Sequence, residues 1–164
     1  KLVVGMISRI EKEKGQDTLI KSIPYIKSKD IQVLIIGEGD VQYLKNIISK
    51  LNLESKVKIL GFVNNVYKYL SFFDVFVFPT RWDMEGFGIA PLEALMFDVP
   101  VVASNFGPVP EVLKNSALLV KPNEKSLAKG IDSIVNRRII RENIVEKYNI
   151  ENIAEEYIKI IKIL

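Results

Sequence analysis

Two glutamates stand eight positions apart in Arg81-Trp82-Asp83-Met84-Glu85-Gly86-Phe87-Gly88-Ile89-Ala90-Pro91-Leu92-Glu93-Ala94, around a Gly-Phe-Gly turn. An apolar run, Val75-Phe76-Val77-Phe78, precedes them. Glycine lets a backbone come close to a ligand. A helix starting at Gly88 would offer unpaired N–H groups and the positive end of its dipole, a ready place for an anion. Pro91 is compatible with a first turn, which needs few internal donors. Glu93, in the next turn, has a carboxylate able to accept two hydrogen bonds from vicinal hydroxyls, as on a ribose. Glu85 belongs at the rim of the crevice. The same letters also suit a plain strand-to-helix turn with two surface glutamates.

Cations come from another loop, Ser8-Arg9-Ile10-Glu11-Lys12-Glu13-Lys14-Gly15. The Arg9 guanidinium matches phosphate oxygens as a fork, and Lys14 adds a point charge. A solvated charged loop is the plainer account of this run. Gly37-Glu38-Gly39-Asp40 allows a tight turn, either beside a ligand or with none. Gly61-Phe62-Val63-Asn64 could flank a flat base through its backbone or simply plug a hydrophobic gap.

The chain has 164 residues, enough for one domain with a sizeable core, and 48% of them are hydrophobic. It has neither cysteine nor histidine, which removes disulfides, thiolate metal sites and the commonest general base. Chemistry must therefore use carboxylates, lysine, arginine or backbone groups. Twenty-three basic and 20 acidic residues give a net charge of +3. That balance argues against a nucleic-acid arm and leaves room for a local phosphate pocket. No apolar run approaches the ~20 residues of a membrane span. The first residues read as a buried strand rather than a signal core, and a start directly on a strand suggests a segment of a longer protein.

Short apolar runs alternate with helical patterns, and these elements must position the loops. Strands are expected at Leu2–Ser8, Ile31–Gly37, Val57–Gly61, Val75–Pro79, Pro100–Ala103 and Ala117–Val120. Helices are expected at Gly15–Lys27, with Pro24 as a kink or end, then Val41–Leu51, Asn65–Phe72, Gly88–Phe97, Pro108–Lys114 and Asn123–Asn136. A last helical segment runs from Ile139 to the end. Strands apolar on both parities are buried on both faces. The alternation predicts an α/β fold: a doubly wound, Rossmann-like, six-stranded parallel sheet in the order 3-2-1-4-5-6 with helices on both faces. Ligands of such sheets sit beyond the carboxyl ends of the strands, where the order reverses. That point falls between the first and fourth strands, beside the two loops described above.

Several pieces together resemble one family. They are Ser8-Arg9-Ile10 with Lys14-Gly15, Ile35-Ile36-Gly37-Glu38-Gly39, Val57 to Val63, and Asp74-Val75-Phe76-Val77-Phe78-Pro79-Thr80. Glu85-Gly86-Phe87-Gly88 with Glu93-Ala94, Pro100-Val101-Val102-Ala103-Ser104, and Gly107 with Glu111-Val112 complete the set. The chain resembles the C-terminal, donor-binding domain of a GT-B glycosyltransferase, in the retaining glycosyl transferases group 1 (family 4), over nearly its whole length, residues 1–164.

The resemblance implies that Arg9 and Lys14 hold the diphosphate of a nucleotide-sugar donor and neutralise charge on the departing nucleotide. Backbone groups around Gly86, Phe87, Gly88 and Ile89 would touch the donor, and Gly37 would lie beside it. Glu85 would face the transferred sugar, Glu93 would bind the ribose, and Val63 would border the base. It implies no cofactor and no metal, Arg9 and Lys14 taking the metal's place. A glycan or lipid-linked acceptor would bind an N-terminal domain outside this chain, so the segment alone would be inactive. Expected partners include no nucleic acid. The expected location is the cytoplasm, extending to its membrane face with peripheral contact by the full-length protein. Ser8, Asp98 and Pro108 stand where the family often has glycine, and none of these departures touches the charged groups.

A glycosidase would instead place Glu85 and Glu93 on either side of a glycosidic bond. The competing functions are a nucleotide-binding module without transfer and a nucleotide-sugar epimerase of the same architecture. A dehydrogenase is disfavoured, since the first strand lacks the G-x-G-x-x-G fingerprint. Ile150, Ile153, Tyr157, Ile161 and Leu164 fall on one helical face. They are expected either to pack on the core or to dock on the missing domain.

Overall fold

A computed structural model describes residues 1–86 and 88–135. Six strands form one parallel sheet in the order β3-β2-β1-β4-β5-β6, as the alternation predicts. The strands are β1 (Leu2–Ile7), β2 (Ile31–Ile36), β3 (Val57–Gly61), β4 (Val75–Phe78), β5 (Val101–Ser104) and β6 (Leu118–Val120). The helices are α1 (Gln16–Ser22), α2 (Val41–Lys50), α3 (Tyr67–Leu70), α4 (Ile89–Met96), α5 (Val109–Leu113) and α6 (Glu124–Ile134).

Strand parity divides the core into two layers. Val75 and Val77 of β4 join Val4, Met6, Leu19, Ile20, Leu44, Leu127 and Ile131, under α1, α2 and α6. Phe76 and Phe78 face the other way, among Leu70, Leu92, Leu95, Val109 and Leu113 of α3, α4 and α5. A strand sandwiched between helices must be apolar at every position, which is why β4 reads Val-Phe-Val-Phe. The start of β4 is tied to β1 by Asp74, whose carboxylate accepts the Val3 N–H at 2.7 Å.

The third strand keeps its expected bounds, Val57–Gly61, while several other element ends depart from the sequence reading by a residue or more. The first helix stops at Ser22 and tightens into a 3-10 turn over Ile23–Tyr25. Pro24 has no N–H to continue the α-helical ladder. The helix expected over Asn65–Phe72 is one turn, Tyr67–Leu70. Two helices have side-chain caps: Asp40 accepts from the Tyr43 N–H at 2.9 Å before α2, and Asn123 from the Ser126 N–H at 2.9 Å before α6. Asn136 and the segment from Ile139 onward lie outside the described residues.

Strand β1 pairs with β2 on one side and β4 on the other, with Val4 opposite Val75 and Gly5 opposite Phe76. Sheet order therefore reverses between β1 and β4. The loop from Ser8 to Gly15 and the loop from Pro79 to Gly88 leave the sheet side by side there.

Candidate functional site

The β1 loop is built outward from the sheet. Ser8 N–H donates to the Ile36 carbonyl at 3.0 Å, and Ile10 N–H to the Glu38 carbonyl at 2.6 Å, so the loop runs beside the end of β2. Gly37, at φ 143°, lies so close that a Cβ there would stand 1.9 Å from the Ser8 carbonyl oxygen. Its missing side chain is thus accounted for by the approach of the first loop. The Gln16 side chain donates to the Arg9 carbonyl at 2.6 Å and the Ser8 hydroxyl at 2.9 Å, closing the loop over α1.

A 3-10 turn over Lys12–Lys14 and a left-handed Gly15 at φ 82° then turn the chain into α1. A Cβ on Gly15 would meet the Pro79 carbonyl oxygen at 2.1 Å, so the turn packs directly on the end of β4. Lys14 is delivered to the other loop as a result. Its Nζ donates to both oxygens of Glu85, at 2.8 and 2.9 Å, and lies 4.5 Å from the centre of the Trp82 ring. The Thr80 hydroxyl donates to Glu85 Oε2 at 2.8 Å. The Lys14 and Glu85 side chains are only 9% and 8% exposed. Burying such a pair costs desolvation that its attraction barely returns, so it is weak support for a purely stabilising role.

The remaining expected residues are spread around this centre. Arg9 is exposed, and its guanidinium pairs with Glu11 Oε1 at 2.7 Å. Gly88, at φ 64°, caps α4, and Ile89 is exposed at its first position. Gly86 is exposed, while Phe87 falls outside the described residues. Glu93 lies on the flank of α4 and accepts the Tyr67 hydroxyl at 3.1 Å. That tyrosine stacks on Phe97 with centroids 5.6 Å apart and planes 6° off parallel. The Glu93 carboxylate pushes the Tyr67 phenol above its ordinary value, because their hydrogen bond favours the protonated hydroxyl. Val63 is partly buried against the Phe76 layer.

The structure thus brings Lys14 and Glu85 together, whereas Arg9, Gly37, Val63 and Glu93 have separate partners. Each glutamate is held by a different element, Glu85 by Lys14 and Thr80, Glu93 by Tyr67. Both oxygens of Glu85 accept hydrogen bonds, the arrangement of an acceptor rather than of a proton donor across a glycosidic bond. Among the described residues, no group of three or more acidic side chains is placed to hold a metal ion, and no helix is long and apolar enough to cross a membrane.

Sequence reading gave no role to Thr80, Arg81, Trp82 or Tyr67. Arg81 stands at the centre of a polar cluster. Its guanidinium donates to the Asp17 carboxylate at 2.8 and 3.3 Å, to the Thr18 hydroxyl at 2.8 Å, and to the Lys12 carbonyl. Lys21 also reaches Asp17, at 2.9 Å. Burial alone would raise the Asp17 carboxyl, but the Arg81 and Lys21 hydrogen bonds and charges outweigh it and hold the group below its ordinary value. The legible signal was a charged residue placed three positions after a fully buried strand at the switch point.

The six-stranded parallel sheet in the order 3-2-1-4-5-6, flanked by helices, is a Rossmann-like sheet of the kind found in GT-B proteins. The chain belongs to the family Glycosyl transferases group 1, which it matches over residues 1–161. An uncharacterized glycosyltransferase of Methanocaldococcus jannaschii is 34% identical over 98% of this chain and 45% of its own length. The poly(ribitol-phosphate) alpha-N-acetylglucosaminyltransferase of Staphylococcus aureus is 32% identical over 96% of this chain and 35% of its own length. A crystal structure of an S. aureus TarM mutant in complex with fondaparinux, alpha-GlcNAc-glycerol and UDP superposes with a TM-score of 0.79. It is 32% identical, covering 96% of this chain and 34% of that one. The chain spans less than half the length of these relatives.

Proposed function

We propose that this chain binds the nucleoside diphosphate sugar donor of a glycosyltransferase. With the remainder of the enzyme, it passes the sugar to a hydroxyl of a glycan or lipid-linked acceptor, retaining the anomeric configuration. The observation that carries the reading is the Lys14–Glu85–Thr80 contact at the switch point, where the two loops meet. In this reading the bond from sugar to diphosphate breaks, the acceptor oxygen forms the new bond and loses its proton, and nucleoside diphosphate leaves. Arg9 and Lys14 stabilise the negative charge growing on that leaving group, in place of a metal ion. Glu85 faces the sugar, Glu93 the ribose, and backbone near Gly37, Val63 and Gly86–Ile89 borders the donor. The S. aureus relatives, one complexed with UDP and one acting on a polymer, support this class of donor and acceptor.

The test uses the complete polypeptide that carries this chain. Thermal shift against UDP, GDP and ADP sugars should single out one base, because a ligand that binds only the folded state raises the melting temperature. Arg9→Ala and Lys14→Ala should each weaken nucleoside diphosphate binding by about tenfold, or about 1.4 kcal/mol, measured by calorimetry. Wild-type affinity in both variants would refute the assignment. Donor binding with neither transfer nor hydrolysis would favour a binding module, and epimerised donor without acceptor would favour an epimerase. NMR of the product's anomeric proton decides retention.

A further inference from the structure

We propose that Arg81 is a positioning residue of the donor site, acting through Lys14. The inference rests on the reading of Lys14 as a ligand of the donor's diphosphate. Arg81 leaves β4 three residues after Phe78, and its backbone N–H donates to the Glu13 carbonyl at 2.7 Å. Its guanidinium takes the Lys12 carbonyl on one side of Lys14, and the Thr18 hydroxyl and Asp17 carboxylate on the other. One planar fork therefore grips the chain before and after the lysine. Asp17 and Thr18 are 4% and 1% exposed, so this end of the grip is fixed in the core.

The grip bears on the loop more than on the helix. Without the guanidinium, Asp17 keeps Lys21 at 2.9 Å, and α1 retains a partner for its carboxylate. The Lys12 carbonyl, by contrast, loses its side-chain donor. The hydrogen bonds that still join the turn's backbone to the loop after β4 are that of the residue 81 N–H and a 3.4 Å contact from the Thr80 hydroxyl, both to the Glu13 carbonyl. The turn also keeps its internal Lys14 N–H bond to the Glu11 carbonyl at 3.1 Å and the Lys14–Glu85 contact. Lysine at position 81 would keep the charge but not the fork, since an ammonium cannot satisfy a carbonyl, a hydroxyl and a carboxylate in one plane.

A double-mutant cycle separates positioning from plain stability. The complete polypeptide is titrated with UDP, GDP and ADP, and the tightest binder is carried through wild type, Arg81→Ala, Lys14→Ala and the double variant. Melting temperatures are recorded alongside. Arg81→Ala should weaken binding about fivefold on its own and less than about twofold when Lys14 is already alanine. Equal losses on both backgrounds, or no loss from Arg81→Ala, would overturn the proposal. Unchanged affinity in Lys14→Ala would remove the reading of Lys14 itself, and this inference with it. If Arg81→Ala does not fold, Arg81→Lys takes its place in the same cycle, with the same non-additive loss expected.

Discussion

At the scale of single residues, Lys14 and Glu85 occupy each other. The groups assigned to diphosphate and sugar are 2.8 Å apart and nearly buried, so a donor must share or displace that contact. On the proposed assignment, Glu85 competes with the diphosphate for the lysine's charge. Glu85→Gln should weaken that competition, raising nucleoside diphosphate affinity by about threefold while lowering transfer, since a small change in coupling of well under 1.4 kcal/mol is enough. Calorimetry and a transfer assay on one preparation decide it; a fall in diphosphate affinity would show that Glu85 helps rather than competes. Glu93 has a different neighbourhood, an exposed tyrosine hydroxyl that donates to one of its oxygens at 3.1 Å. Glu93→Ala should cost about tenfold in affinity for the ribonucleotide and little for its 2′,3′-dideoxy analogue, because only the former offers hydroxyls to a carboxylate. Equal losses for both ligands would exclude the ribose role.

Elements place these residues, and sequence shows the elements more clearly than their meeting points. Strand β4 was legible because alternate positions, Val75 and Val77 against Phe76 and Phe78, enter two different apolar layers. The single turn of α3 is shorter than its sequence pattern suggests, since four residues are too few for helical periodicity to mark its ends. Lys14 and Glu85 were legible as candidates on neighbouring loops, since the predicted strand order sets β1 beside β4, but not as partners: 71 residues separate them, and no local spacing marks which side chains of the two loops touch. The Arg81–Asp17 contact, across 64 residues, was hidden for the same reason. That contact ties α1 to the loop after β4 and carries a pH signature. Asp17 is held below its ordinary value, so its contribution is complete above the unfolded carboxyl's pKa and is lost as pH falls through the lower folded value. Asp17→Asn should therefore cost about 1–2 kcal/mol near neutral pH, with Arg81 and Lys21 partly exposed and screened. The gap to wild type should close in acid, below the ordinary carboxylate range. Denaturant unfolding at both pH values checks the sign, and a gap that widens in acid would contradict it.

For the whole molecule, the question is how much of a transferase one sheet can be. Every group assigned to the donor comes from a loop at the carboxyl end of β1, β2, β3 or β4, or from the helix that follows β4. The carboxyl end of one sheet thus carries the cations, carboxylates and helix N-terminus that the proposal assigns to the donor. The acceptor is a separate matter. The relatives matched over 98% and 96% of this chain are more than twice its length, and the reading of this site leaves the acceptor to the remainder. Binding and transfer should therefore come apart. Residues 1–164 expressed alone should bind nucleoside diphosphate within about tenfold of the complete polypeptide, a difference of about 1.4 kcal/mol. The same segment should transfer no sugar to any acceptor the complete enzyme uses. Calorimetry gives the first quantity and a labelled-donor assay the second. Transfer by the segment alone would place the acceptor site on this sheet. Loss of binding beyond a hundredfold in a folded segment would mean that the donor site draws on residues outside it, and that Lys14, Glu85 and Arg9 are only part of the cradle.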